Sequence, residues 1–156
     1  MTTSAVDLPF RSLMPALLEG KVDVVMAGVG VTAAREMRAS FAEPYLHSGL
    51  TALARRSDAE RFRGAPCSAR FSVLSGSTGE KFVREKCPRS AAVFPTDSRE
   101  IAIAEVRQGR SDVVVAHAGD QQVLPDGEAD VAVAEAARDL GEAAHLGALP
   151  EGLECL

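Results

Sequence analysis

Arg35 stands three residues after Thr32 in the stretch Gly28-Val29-Gly30-Val31-Thr32-Ala33-Ala34-Arg35. A guanidinium presents two parallel N–H donors that match the fork of a carboxylate. Gly28 and Gly30 let a ligand approach the backbone closely. Thr32 is a good cap for a short helix through Arg38, so free N–H groups and a positive dipole end point to the same mouth. The plainer reading makes Arg35 a surface helix residue paired with Glu19 or Glu43. A second segment, Ser75-Gly76-Ser77-Thr78, precedes another helix. Its hydroxyls, Ser77 and Thr78 among them, and its backbone N–H groups can surround an oxyanion, although any capped strand-to-helix turn shares this pattern. It is not a phosphate loop, because GxxxxGK[ST] is missing. A third segment, Ala116 to Asp120, offers His117 as a proton carrier or ligand contact, and Asp120 as a general acid or amine partner. Their plainer roles are a hydrogen-bonded strand end and a helix cap.

Other residues carry less. His47 and His145 have no metal-type spacing. Tyr45 fits pocket or core, and the Arg55-Arg56 and Arg61-Arg63 cluster fits a solvated face. Ser75 sits in no G-x-S-x-G elbow, which gives a hydrolase triad no support. Cys67, Cys87 and Cys155 form no CxxC pair, so no zinc site is expected. Three separate structural thiols are the reading favoured over a disulfide.

The three loops each follow an apolar run, and the elements around them alternate. Ser12 to Glu19 reads as a helix with Ser12 as cap, Pro15 in the first turn and Gly20 at the left-handed stop. Val22 to Ala27 is a nearly continuous apolar run, the pattern of a strand buried on both faces. Strands are predicted at Leu50 to Ala54, Phe71 to Leu74, Ala91 to Phe94 and Val113 to Ala116, with a weak one at Val131 to Val133. A turn or short helix is predicted over Ser57 to Arg63. Longer helices run from Ser77 or Thr78 to about Lys86, and from Ser98 to Gln108, where Gly109 stops the chain. Strands separated by helices of about ten residues predict parallel βαβ units and an α/β sheet. In such sheets ligands sit beyond the carboxyl ends of strands, where the three loops converge.

Together these segments resemble the type II periplasmic solute-binding proteins for amino acids (family 3). Leu13-Met14-Pro15-Ala16-Leu17-Leu18-Glu19-Gly20-Lys21-Val22-Asp23-Val24-Val25-Met26-Ala27-Gly28 is similar to the family's L-x-P-A-L-x-x-G-K-x-D-x-x-x-A-G. Thr32-x-x-Arg35, Phe41-x-x-Pro44-Tyr45, Ser75-Gly76-Ser77-Thr78 and Gly109-x-x-Asp112-Val113-Val114-Val115-Ala116 follow in the family's order. The pieces Phe10-Arg11-Ser12-Leu13-Met14, Glu43-Pro44-Tyr45-Leu46 and Arg56-Ser57-Asp58-Ala59-Glu60-Arg61-Phe62 resemble a subgroup, the cyclohexadienyl (prephenate/arogenate) dehydratases. The resemblance implies a partial first lobe with its crossover over residues 1–50, a second βαβ lobe over 51–135, and a return crossover and tail over 136–156. It implies that Arg35 grips a ligand carboxylate with help from Gly28, Gly30, Thr32, Ser77 and Thr78, and that the lobes close about a hinge. For a dehydratase it implies an acid that protonates the leaving hydroxyl, assigned to Asp120, with His117 beside it. It also implies that the first lobe lacks its opening strand and closing helices, leaving exposed edges for a second copy of the chain to cover.

Two departures bear on the ligand. His117 stands where the family places an aspartate that holds an α-ammonium, and Gly30 stands where a serine is frequent. A ligand without an amine, such as a keto acid or dicarboxylate, fits His117 better. Three readings stay open: a binding protein for a small carboxylate-bearing ligand (amino acid, keto acid or prephenate-like), a prephenate dehydratase forming phenylpyruvate, and a degenerate relative that binds nothing. None calls for a cofactor or metal. The 156 residues carry a formal charge of −5, which disfavours nucleic acid as a partner. Hydrophobic residues at 46% and charged ones at 25% suit a folded α/β domain, and no apolar run reaches the ~20 residues of a membrane span. No secretory signal is visible before Asp7, so the protein is expected in the periplasm if a signal precedes this sequence, and in the cytoplasm otherwise.

Overall fold

The computed structural model describes residues 4–44, 49–89, 92–117 and 131–134. The chain begins with helix α1 (Phe10–Leu18) and the single turn α2 (Ala33–Glu36), then enters a sheet. Five strands form it: β1 (Leu50–Arg55), β2 (Arg70–Leu74), β3 (Ala92–Thr96), β4 (Val113–His117) and β5 (Val131–Ala134), in the order β3-β2-β4-β1-β5. Helices α3 (Ala59–Gly64), α4 (Thr78–Lys86) and α5 (Arg99–Arg107) connect them.

The helices start where the capping chemistry directs. The Ser77 side chain accepts from Glu80 N–H at 3.1 Å, and that of Ser98 accepts from Ile101 N–H at 3.2 Å. Gly20 and Gly109 adopt φ of 68° and 72°, the left-handed stops read from the sequence. Alternation along the strands sorts two cores. Phe71, Val73, Val113 and Val115 pack with Phe82 and Val83 of α4 on one face. Leu53 and Val114 pack with Ala102 and Val106 of α5 on the other.

This topology places the site. From β2 the chain crosses by α4 to β3 on one side, and from β3 by α5 to β4 on the other side of β2. The connections diverge between β2 and β4, and the crevice beyond their carboxyl ends is where open α/β sheets bind ligands. Leu74 leads into Ser75–Thr78 at that edge, and His117 ends β4 there.

Four expectations need correction. The sheet is mixed: β2 pairs parallel with β3 and β4, but β1 runs antiparallel to β4 and β5. Leu50 pairs with His117, so the segment that carries Arg35 delivers β1 to the site edge of the sheet and β1 must run away from it. Val22–Ala27 forms no strand, and Val24 and Met26 are 72% and 90% exposed. A doubly buried strand needs neighbours at its edges and over both faces, and none of the described residues supplies them. Ser12 is no cap: α1 starts after Pro9, whose carbonyl accepts from Ser12 N–H at 2.8 Å, and Pro15 lies inside the helix.

The fourth correction concerns the cysteines. Cys67 and Cys87 form a disulfide with Cα atoms 5.2 Å apart, in place of separate thiols. A 3-10 turn, Pro66–Ser68, leads into β2, and Cys87 caps the end of α4, which packs back along β2, so the βα unit brings the two together. Closing a loop of 20 residues is worth about 3 kcal/mol through the unfolded chain. Reductant is expected to lower the unfolding temperature of the native chain while leaving a Cys67→Ala/Cys87→Ala variant, already at the lower value, unchanged. Scanning calorimetry with and without dithiothreitol checks this.

Candidate functional site

The three loops singled out in the sequence meet at one end of the sheet. Arg35 Nη1 donates to Gly30 O at 2.7 Å, and Nη2 donates to Gly76 O at 3.1 Å, 41 residues away in sequence. Thr78 Oγ1 and His117 Nε2 are 2.8 Å apart. A methyl group built on buried Gly30 would lie 3.5 Å from the Thr78 methyl, 3.8 Å from Arg35 Nη1 and 3.9 Å from His117 Nε2. Gly30, Arg35, Gly76, Thr78 and His117 therefore form one cluster drawn from three separate chain segments.

The remaining candidates fall around that cluster. The Thr32 side chain caps α2 and accepts from Arg35 N–H at 3.4 Å, so it orients the anchor's own backbone. Ser77 Oγ accepts from Glu80 N–H as the α4 cap and keeps a hydroxyl proton to donate. Gly28 is exposed and borders a cavity of about 150 Å³ together with Phe10, Ser77 and His117. Asp120, Tyr45, His47 and His145 lie outside the described residues. No cluster of metal-type ligands comes together among the described residues.

The oxyanion cradle expected at Ser75–Thr78 is narrower than its sequence suggests. Ser75 N–H donates to Thr96 O at 2.9 Å, Gly76 N–H to Glu80 Oε2 at 2.8 Å, and Ser77 N–H to Leu74 O at 3.1 Å. Three backbone N–H groups of this turn are thus engaged within the protein, and the Thr78 hydroxyl faces His117. A Glu three residues after a serine cap is the sequence sign that one donor of the loop is already spoken for.

Two contributors escaped the sequence reading. Phe10, the first residue of α1, lies under Arg35, with the guanidinium carbon 5.9 Å from the ring centre. It borders both the smaller cavity and a second one of about 300 Å³ that also touches Arg35 and Gly76. Gly79 sets how closely α4 approaches β4: a methyl group on it would stand 2.7 Å from Val115 O and 3.3 Å from Val115 C. Those are backbone atoms of a central strand, and they cannot yield. Gly79→Ala is expected to destabilise the fold by roughly 1–3 kcal/mol through overpacking, despite alanine's better helix propensity. Urea unfolding measures this, and a gain in stability would show that α4 can slide.

Below the site, Asp112 locks the start of β4 to β2. Its carboxylate accepts from Arg70 N–H at 2.9 Å, Arg70 Nε at 3.0 Å and Arg70 Nη2 at 2.8 Å, with Arg55 Nη2 at 3.6 Å. The Arg70 hydrogen bonds hold its carboxyl well below the usual range, at about 2.

Comparisons with known proteins bear on this arrangement. The model of the bacterial extracellular solute-binding proteins, family 3, matches residues 1–102. The putative ABC transporter arginine-binding protein 2 of Escherichia coli (strain K12) is 30% identical over 120 residues, which are 75% of this chain and 46% of that protein. The chain thus spans less than half the length of this curated relative. Holo ArgBP from T. maritima superposes with a TM-score of 0.73 at 26% identity, over 82% of this chain and 57% of that one. The ancestral amino acid-binding protein AncCDT-1, a precursor of cyclohexadienyl dehydratase, gives 0.74 at 26% identity, over 82% and 57%.

Proposed function

The chain belongs to the bacterial extracellular solute-binding proteins of family 3, and from that premise we propose that it binds a small carboxylate-bearing solute at the Arg35 cluster. The observation that carries this reading is the convergence of Arg35, Thr78 and His117, from three segments, around Gly30. In the resting arrangement Arg35 donates to two carbonyl oxygens. A ligand carboxylate replaces them with a charged acceptor, which makes shorter and stronger hydrogen bonds. Thr78 and Ser77 donate hydroxyl protons to the same group, and Phe10 forms its apolar wall.

The family is described as extracellular. We place this chain outside the cytoplasm too, and the Cys67–Cys87 bridge supports that placement, because disulfides persist in oxidising compartments. Service as the solute-binding component of an ABC transporter is the corresponding biological reading, in line with the E. coli relative named a putative ABC transporter arginine-binding protein. Among the described residues no helix is long and apolar enough to cross a membrane.

Thermal unfolding with a panel of amino acids, keto acids and dicarboxylates tests the proposal. A ligand at about 100 times its Kd stabilises the folded state by roughly 2.7 kcal/mol. At least one carboxylate is expected to raise the unfolding temperature of the native chain. A panel without any effect would remove the reading.

A further inference from the structure

We propose that Arg11 and Asp97 form a latch that holds α1, and with it the Arg35 anchor, against the sheet while the solute is bound. This rests on the binding reading above and adds the residues that position its anchor. Among the described elements, the main packing contacts lie within the sheet and the helical segments that connect its strands, and neither α1 nor α2 shares in them. The segment before β1 reaches the sheet at loops instead. Arg35 Nη2 donates to Gly76 O, and Arg11 Nη1 pairs with Asp97 Oδ1 at 2.9 Å. Gly76 follows β2 and Asp97 follows β3. Both partners therefore stand at the carboxyl ends of parallel strands, on the edge where the site lies.

Gly76 makes the approach possible. Its φ of 77° is a backbone conformation that glycine adopts without steric cost. A methyl group built on it would stand 3.3 Å from Arg11 Cα and 3.4 Å from Arg11 Cβ. The turn thus carries no side chain where α1 comes down on it. Phe10, the neighbour of Arg11, lies under the Arg35 guanidinium, so α1 and the anchor dock together. Binding then creates a need. A carboxylate that takes Arg35 away from Gly76 O breaks that tie between the anchor and the sheet. The Arg11–Asp97 pair does not involve Arg35 and persists when Arg35 turns to the solute. A solute that uses groups from both sides binds only the docked arrangement, and its apparent affinity scales with the docked fraction. The two side chains are 57% and 61% exposed, so the effect is modest: losing the pair is expected to lower the docked-to-undocked ratio about twofold to fivefold.

The contact can be read without any solute. In the native chain a nuclear Overhauser effect is expected between Gly76 Hα and Arg11 Hα or Hβ, which face each other. Arg35→Ala removes the tie to Gly76 O as the solute would, and the effect is expected to survive it because the latch remains. Adding Asp97→Asn to that background is expected to lower the docked-to-undocked ratio about twofold to fivefold, read from the Overhauser intensity and the α1 amide shifts. Adding Asp97→Glu, which keeps the charge, is expected to retain the contact. Sodium chloride at 1 M, where charges are screened beyond about 3 Å, is expected to act on Arg35→Ala as Asp97→Asn does and to leave Arg35→Ala/Asp97→Asn unchanged. Overhauser contacts between Val106 and Val114 report that the core of each variant is intact. Absence of the Gly76–Arg11 contact from the native chain or from Arg35→Ala would overturn the latch, and so would full native intensity in Arg35→Ala/Asp97→Asn. A carboxylate panel without binding in thermal unfolding and calorimetric titration would instead remove the solute site, whatever the Overhauser result.

Discussion

Replacing Arg35 with alanine is expected to weaken binding of the carboxylate ligand by at least ~100-fold, about 2.7 kcal/mol. Two effects add. The ligand loses a two-pronged, charge-assisted donor, and truncating one partner of a desolvated charge pair costs ~2–5 kcal/mol. The substitution also removes the bridge from Gly30 O to Gly76 O, so the two loops lose their tie as well as their cation. Arg35→Lys separates the two contributions. Lysine keeps the charge but is a point donor that cannot span both loops, and it is expected to recover only part of the affinity. Binding that survives Arg35→Ala within about threefold would mean that the carboxylate lies elsewhere.

The second large effect falls on stability. Asp112→Ala removes the acceptor of three hydrogen bonds from Arg70 and leaves Arg70 N–H without its partner. Hydrogen bonds to charged groups are worth about 1.5–3 kcal/mol each in net terms, but Arg70 is partly exposed and water replaces part of the loss. A net loss of roughly 3 kcal/mol follows, or roughly 6–12 °C in unfolding temperature for a chain of this size. The same carboxylate gives a pH signature. Its folded pKa, about 2, lies below the unfolded value, so its contribution is fully present above about pH 4 and disappears as pH falls through 2. Between pH 4 and 2 the native chain should therefore lose stability faster than the variant, and the gap between their unfolding temperatures should close. A constant gap would show that Asp112 acts through packing alone.

The sequence disclosed most of what is local. The strands of the sheet and helices α4 and α5 follow from period and caps, because Ser77, Ser98, Gly20 and Gly109 each have a chemical reason for their place. What depends on distant neighbours was not legible. Val22–Ala27 has the composition of a buried strand, but burial needs partners that composition does not name. The antiparallel β1 depends on where the segment after Arg35 delivers the chain. Cys67 and Cys87 meet because a turn and a helix end converge, which their spacing of 20 residues does not reveal. At the site, Arg35, Thr78 and His117 could each be singled out by type and position. Their meeting could be expected from strand ends, but Phe10 and Gly79 enter only through packing, as a ring under a guanidinium and a missing methyl against a strand.

The side-chain Nε–H resonance of Arg35 in a 15N-labelled sample, assigned by its absence from Arg35→Lys, tests the central claim most directly. It is to be followed while adding the carboxylate that most raises the unfolding temperature. A saturable shift of that resonance, with the same midpoint as the calorimetric titration, is the expected result. Saturable binding that leaves it unmoved would contradict the assignment of Arg35 as the anchor.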